Sequence, residues 1–113
     1  MTINLALEYI PRRMRELGHG KNYSLRFRHF VLQAQEQREI SAFNQLLILV
    51  DEASDVSVVS EFGIFDLSLN NVNEMIYEHQ GNVKITNYLS GLNHIRFIQV
   101  IPGNKKQNDG RDN

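Results

Sequence analysis

Ala42-Phe43-Asn44-Gln45-Leu46-Leu47-Ile48-Leu49-Val50, then Asp51-Glu52-Ala53-Ser54-Asp55, then Val56-Ser57-Val58-Val59, is the stretch on which the fold turns. The run ending at Val50 is apolar on both faces of any regular element. By length and flanks it fits a buried helix or a buried strand. The acidic turn after it, and the β-branched run beyond, decide for strand. Gly63 interrupts Val56–Phe65 and predicts a bulge or bend there.

Working outward, the rest of the chain also has strand character. In Tyr23–Gln33, Tyr23, Leu25, Phe27 and Val31 alternate with Ser24, Arg26 and Arg28, a period of two. Its end, His29-Phe30-Val31-Leu32, is apolar on both faces, which predicts a strand entering a two-sided core. Met75–His79 reads as a short strand, and Gln80-Gly81-Asn82 as a turn. Val83, Ile85 and Leu89 alternate with Lys84 and Thr86. In Asn93–Ile101, Ile95, Phe97 and Ile101 share one face, and His94, Arg96, Ile98 and Val100 the other. Pro102-Gly103 ends that strand.

At the start, Leu7, Ile10, Met14 and Leu17 fall on one helical stripe. Pro11 fits only in a first turn, so the expected helix runs from Pro11 to Leu17, with Gly18 as its left-handed cap. Residues 1–10 are then an extended arm. About six strands and one helix predict an all-β fold, a small β-sandwich or jelly-roll-like domain with a short N-terminal helix. At 113 residues the chain is one domain. Residues 1–103 form its body, and 104–113 are a polar tail not expected to pack.

Composition narrows function. Cysteine is absent, which excludes disulfides, thiolate zinc sites and a cysteine nucleophile. The start lacks the basic region and long apolar core of a signal peptide, so the expectation is a protein not secreted by that route. The net charge is only -1, yet the charges are sorted into blocks. From Arg12 to Arg28 there are six cations and one anion; from Glu36 to Glu78, nine anions and one cation. Such segregation suits docking onto a copy or partner of complementary potential. It predicts a mating surface of Arg12, Arg13, Arg15, Arg26 and Arg28. On a neighbour, Glu52, Asp55, Glu61 and Glu74 would oppose it.

Tests for chemistry favour no enzyme, cofactor or metal. Gly18-His19-Gly20-Lys21 lacks the earlier glycine and the following Ser or Thr of a phosphate loop. His29, His79 and His94 lack the short spacings of one rigid metal site, although strands can bring distant histidines together. Nothing selects an acid–base pair among Asp51, Glu61, Asp66, Glu74 and Glu78, and no nucleophile elbow is present. Tyr23 and Phe27 alternate with Arg26 and Arg28, so aromatic and basic residues point to opposite faces, and nucleic acid is not an expected partner. Two alternatives remain. One is a small-ligand or glycan module using Tyr77, Tyr88 and the Asn70–Asn73 loop. The other is a β-barrel enzyme with a metal on His29, His79 and His94.

The stretches LEYIPRRMRELGHGKNYSLRFRHF (residues 7–30) and YEHQGNVKITNYLSGLNHIRFIQVIP (77–102) resemble small virion proteins of tailed bacteriophages of Bacteroidetes, including the crAss-like group. The resemblance covers most of the chain and offers no site motif. It implies a small β-sandwich subunit of a capsid, connector or tail, without enzyme activity. Its partners would be copies of itself and other virion proteins. Its location would be the virion, after synthesis in a bacterial cytoplasm.

Overall fold

A computed structural model describes residues 1–51, 55–66 and 76–103. The elements are α1 (Ile3–Glu16), β1 (Tyr23–Leu32), β2 (Gln37–Val50), β3 (Val56–Ser60), β4 (Gly63–Asp66), β5 (Glu78–Asn87) and β6 (Asn93–Pro102). The fold is all-β with one N-terminal helix. The strands form one antiparallel sheet in the order β1-β6-β2-β5-β3-β4.

The deciding stretch is a strand, longer than expected at its start. β2 pairs with β5 through Gln37–Ala42, and with β6 through Leu46–Val50. Between Ala42 and Leu47 the register slips: these residues stand opposite Gly81 and His79. Five steps along β2 therefore match two along β5. The odd step reverses parity, so Ile40 and Ala42 before the bulge face the same core as Leu47 and Leu49 after it. Asn44, at φ 61, takes the turn inside the bulge. The bent β2 lets β1 and β6 close over β3, β4 and β5, a corner of the kind that makes a sandwich from continuous strands. The resulting core joins Leu32, Ile95 and Phe97 to Val56, Val58, Phe65, Val83 and Ile85.

The other face of β2 and β6 is covered by α1. Ala6, Ile10 and Met14, one stripe of the helix, pack on Leu46, Ile48, Val50, Ile98 and Val100. This is why AFNQLLILV is apolar on both faces, and why the two faces read for the last strand hold. The helix itself corrects the expectation of Pro11–Leu17. It begins at Ile3, where the Thr2 side chain accepts the Leu5 N–H at 3.2 Å as an N-cap. Pro11 lies inside it, and the carbonyl its missing N–H forgoes is that of Leu7, a residue on the exposed side. Leu7 and Leu17 are thus outside the buried stripe. The cap at Gly18 is as expected. At φ 86, its N–H donates to Arg15 O, and the His19 N–H donates to Met14 O, the paired bonds of a Schellman motif.

Two further expectations change. Val56–Phe65 is a hairpin, β3 and β4, turning at Glu61-Phe62, where Ser60 Oγ accepts the Phe62 N–H. Gln80-Gly81-Asn82 is not a turn but lies within β5. Gly81, at φ 77, faces the β2 bulge, and the Glu61 carboxylate lies 3.1 Å from where a Cβ would stand. The positive φ favours glycine there, and the close approach of Glu61 adds to that preference. The polar tail 104–113 lies outside the described residues.

Candidate protein interface

β1 is a sheet edge ten residues long. The Gly103 N–H donates to Asn22 O at 2.7 Å, extending the ladder in which Tyr23 stands opposite Pro102. The pairs that exchange ladder bonds with β6 are therefore those with even β1 numbers. The odd residues turn their N–H and C=O groups to the free edge. Among the described residues, two of these ten groups have partners: the Tyr23 N–H in Lys21 O, and Val31 O in Arg38 Nη2 at 3.3 Å.

The side chains of β1 also divide by parity. Leu25, Phe27, His29 and Val31 are on the helix side of the sheet, opposite Val100, Ile98, Arg96 and His94. The sequence places this apolar set in the core, with a two-sided core at the strand's end. The structure exposes it instead, Phe27 by 63%, because among the described residues β1 has no neighbour beyond it and α1 sits over β6 and β2. Between α1 and β1 lies a cavity of about 170 Å³ lined by Ile3, Phe27, His29, Val50 and Arg96. His29 Nε2 and His94 Nδ1 are 2.8 Å apart. Lost hydration, then the Arg96 guanidinium and His94, hold the His29 ring below its usual ionisation range.

Arg26 and Arg28 are on the opposite face, across from Gln99 and Phe97. The Arg28 guanidinium donates to Gln99 Oε1 at 2.8 Å and lies 5.0 Å from the centre of the Phe30 ring. Gln99 in turn donates to Gln45 Oε1 at 2.5 Å.

The five arginines do not form one surface. Arg12 and Arg15 are exposed on α1, across the sheet from Arg26 and Arg28. Arg13 is engaged internally. Its Nε and Nη2 donate to the two oxygens of Glu78 at 3.0 and 3.1 Å, and Tyr9 OH donates to the same carboxylate. Burial first, then Glu78, push the Tyr9 phenol up to about 12. Nothing in sequence spacing links Arg13 to Glu78, 65 positions away. Of the acidic set, Asp55 precedes β3 and Glu61 follows it, so they lie at opposite ends of that strand. Glu52 and Glu74 lie outside the described residues, as does the Asn70–Asn73 loop.

The alternative sites do not assemble either. His79 is fully buried and apart from His29 and His94. Its Nε2 donates to Ile76 O at 2.8 Å, so Nδ1 accepts from Ser60 Oγ at 2.7 Å, and burial lowers its affinity for a second proton. Among the described residues no three metal-ligating groups converge. Tyr77 packs on Phe65 just before β5, whereas Tyr88 is exposed just after it. The two tyrosines therefore stand at opposite ends of a ten-residue strand. A cavity of about 340 Å³ lies at the C-terminal end of α1, among Met14, His19, Asn44, Gln45 and Gln80. His19 Nδ1 is buried there without a hydrogen-bond partner among the described residues. No helix among the described residues is long and apolar enough to cross a membrane. Compared with known proteins, the chain matches no family model, no curated protein and no solved structure.

Proposed function

We propose that this chain is a non-enzymatic assembly subunit acting through protein–protein contacts, and that the particle it builds is a bacteriophage virion. The virion half draws on the resemblance of residues 7–30 and 77–102. The assembly half draws support from one observation, the free edge of β1. A long edge strand with exposed apolar side chains is a hazard that free-standing proteins blunt by shortening, bulging or covering it. Here the edge runs ten residues with Leu25, Phe27 and Val31 exposed along it. An edge kept in this state is explained by a neighbour that covers it. The charge blocks then serve partner choice: Arg26 and Arg28 line one side of the edge and disfavour basic neighbours.

Mass photometry and sedimentation at low and high salt test the reading. Purified chain, alone or with its companion proteins, should form discrete oligomers, and Phe27→Lys should return them to monomers without lowering thermal stability. A chain that stays monomeric in all these mixtures contradicts it. Small-ligand binding keeps one specific observation, the buried His19 Nδ1 beside the 340 Å³ cavity, without a hydrogen-bond partner among the described residues. Thermal-shift screening of neutral polar metabolites tests that reading directly.

A further inference from the structure

We infer that β1 accepts, as an added antiparallel strand, an extended segment of a partner protein that alternates apolar residues with carboxylates. This rests on the assembly reading and names the occupant of that same edge. Three features converge on it. Leu25, Phe27 and His29 turn their N–H and C=O groups outward with no partner among the described residues, the main-chain template for strand addition. On the helix side, the exposed Leu25, Phe27 and Val31, and the apolar part of the 170 Å³ cavity at Ile3, Phe27 and Val50, offer seats for alternate apolar side chains, with His29 and Arg96 at the cavity wall. On the other side, Arg26 and Arg28 are two residues apart and share a face. An incoming strand sets one residue directly opposite each, where opposite charges attract and like charges repel.

The same arithmetic disfavours a second copy as the occupant. Ladder bonds on the free edge join odd residues to odd residues. Two antiparallel self-pairings overlap most, over nine residues each. Centred on Phe27, Tyr23 meets Val31, Leu25 meets His29, and Arg26 faces Arg28 twice across the two-fold axis. Centred on Arg28, that arginine faces its own copy. A strand with glutamate or aspartate at those places meets no such repulsion.

The test uses the intact protein and a blocked synthetic peptide alternating valine with glutamate, long enough to span β1, read by fluorescence anisotropy. Its counterpart alternating valine with lysine is the control. The glutamate peptide should bind at least tenfold more tightly than the lysine peptide, and the preference should invert in Arg26→Glu/Arg28→Glu. Phe27→Pro is the second variant. It removes an outward N–H and leaves the ladder to β6 intact, so it should abolish peptide binding while the thermal midpoint holds. Equal binding of both peptides, or binding that survives Phe27→Pro, overturns the inference. So does a β1-centred homodimer that excludes the peptide. That last result spares the assembly reading, whereas peptide binding by a chain that never joins a companion protein spares the inference and removes the assembly reading.

Discussion

Replacing Arg13 with methionine keeps an unbranched apolar stem on α1 and removes the fork that holds Glu78. Two limits bound the cost. An exposed ion pair contributes about 0–1 kcal/mol, whereas stripping one partner from a fully buried pair costs about 3–5 kcal/mol. The Glu78 side chain is 11% exposed and that of Arg13 is 26%, so the pair falls between the limits, nearer the buried one at the carboxylate. Tyr9 still donates to Glu78 after the change and offsets part of the loss. Balancing these, Arg13→Met should cost about 2 kcal/mol at neutral pH. With a urea slope of about 1–3 kcal/mol/M, the unfolding midpoint falls by roughly 0.7–2 M. The full cycle with Glu78→Gln separates the pair from its parts: the double variant should lose less than the two single losses summed, by about 1 kcal/mol. An Arg13→Met loss of no more than about 0.5 kcal/mol, as at an exposed pair, refutes the reasoning. It would return Arg13 to the surface set that the sequence predicts.

Other outcomes follow from the same geometry. Tyr9 should ionise near pH 12, seen as a late step in ultraviolet titration that Tyr9→Phe removes. Because its folded value lies above the ordinary 10.0, that share of stability is complete below pH 10 and is lost as pH rises towards 12. His79 has the opposite sign: its folded value is lowered, so the stability it contributes is present above pH 6.5 and is lost as pH falls through the folded value. NMR titration should show the His79 ring still neutral where an exposed histidine has taken its proton. Asn87 is buried, and its amide donates to Gln33 O at 2.7 Å and Gly91 O at 3.0 Å while accepting from the Leu89 N–H. Asn87→Ala leaves those groups unsatisfied and should cost about 2–3 kcal/mol, read by urea unfolding.

The strand class was legible wherever the pattern was local. The two faces of Asn93–Ile101 and the cap at Gly18 needed only periodicity and a glycine. The turn signal of Gln80-Gly81-Asn82 fails for a tertiary reason. The positive φ of Gly81 serves a bulge on the neighbouring strand, which no window on β5 reveals. A first-turn role for Pro11 puts the helix start too late, although Thr2 stands as a cap four residues before Ala6. At β1, sequence says which residues share a face but not which face is covered. Alternation in Tyr23–Gln33 separated Arg26 and Arg28 from Leu25 and Phe27 correctly. Which of those two faces would be covered depends on β1 falling at the end of the sheet order. Charge blocks along the chain likewise say nothing about which arginine finds a carboxylate 65 positions away.

The central claim is that the outer side of β1 is kept open for a neighbour. Residue-resolved amide hydrogen exchange tests it most directly. In the dilute monomer the amides of Leu25, Phe27 and His29 should exchange quickly, while those of Ser24, Arg26, Arg28 and Phe30 are protected by β6, and in the assembled particle the odd set should become protected too. Uniform protection along β1 in the monomer, or odd amides that stay fast once the particle has formed, contradicts the account.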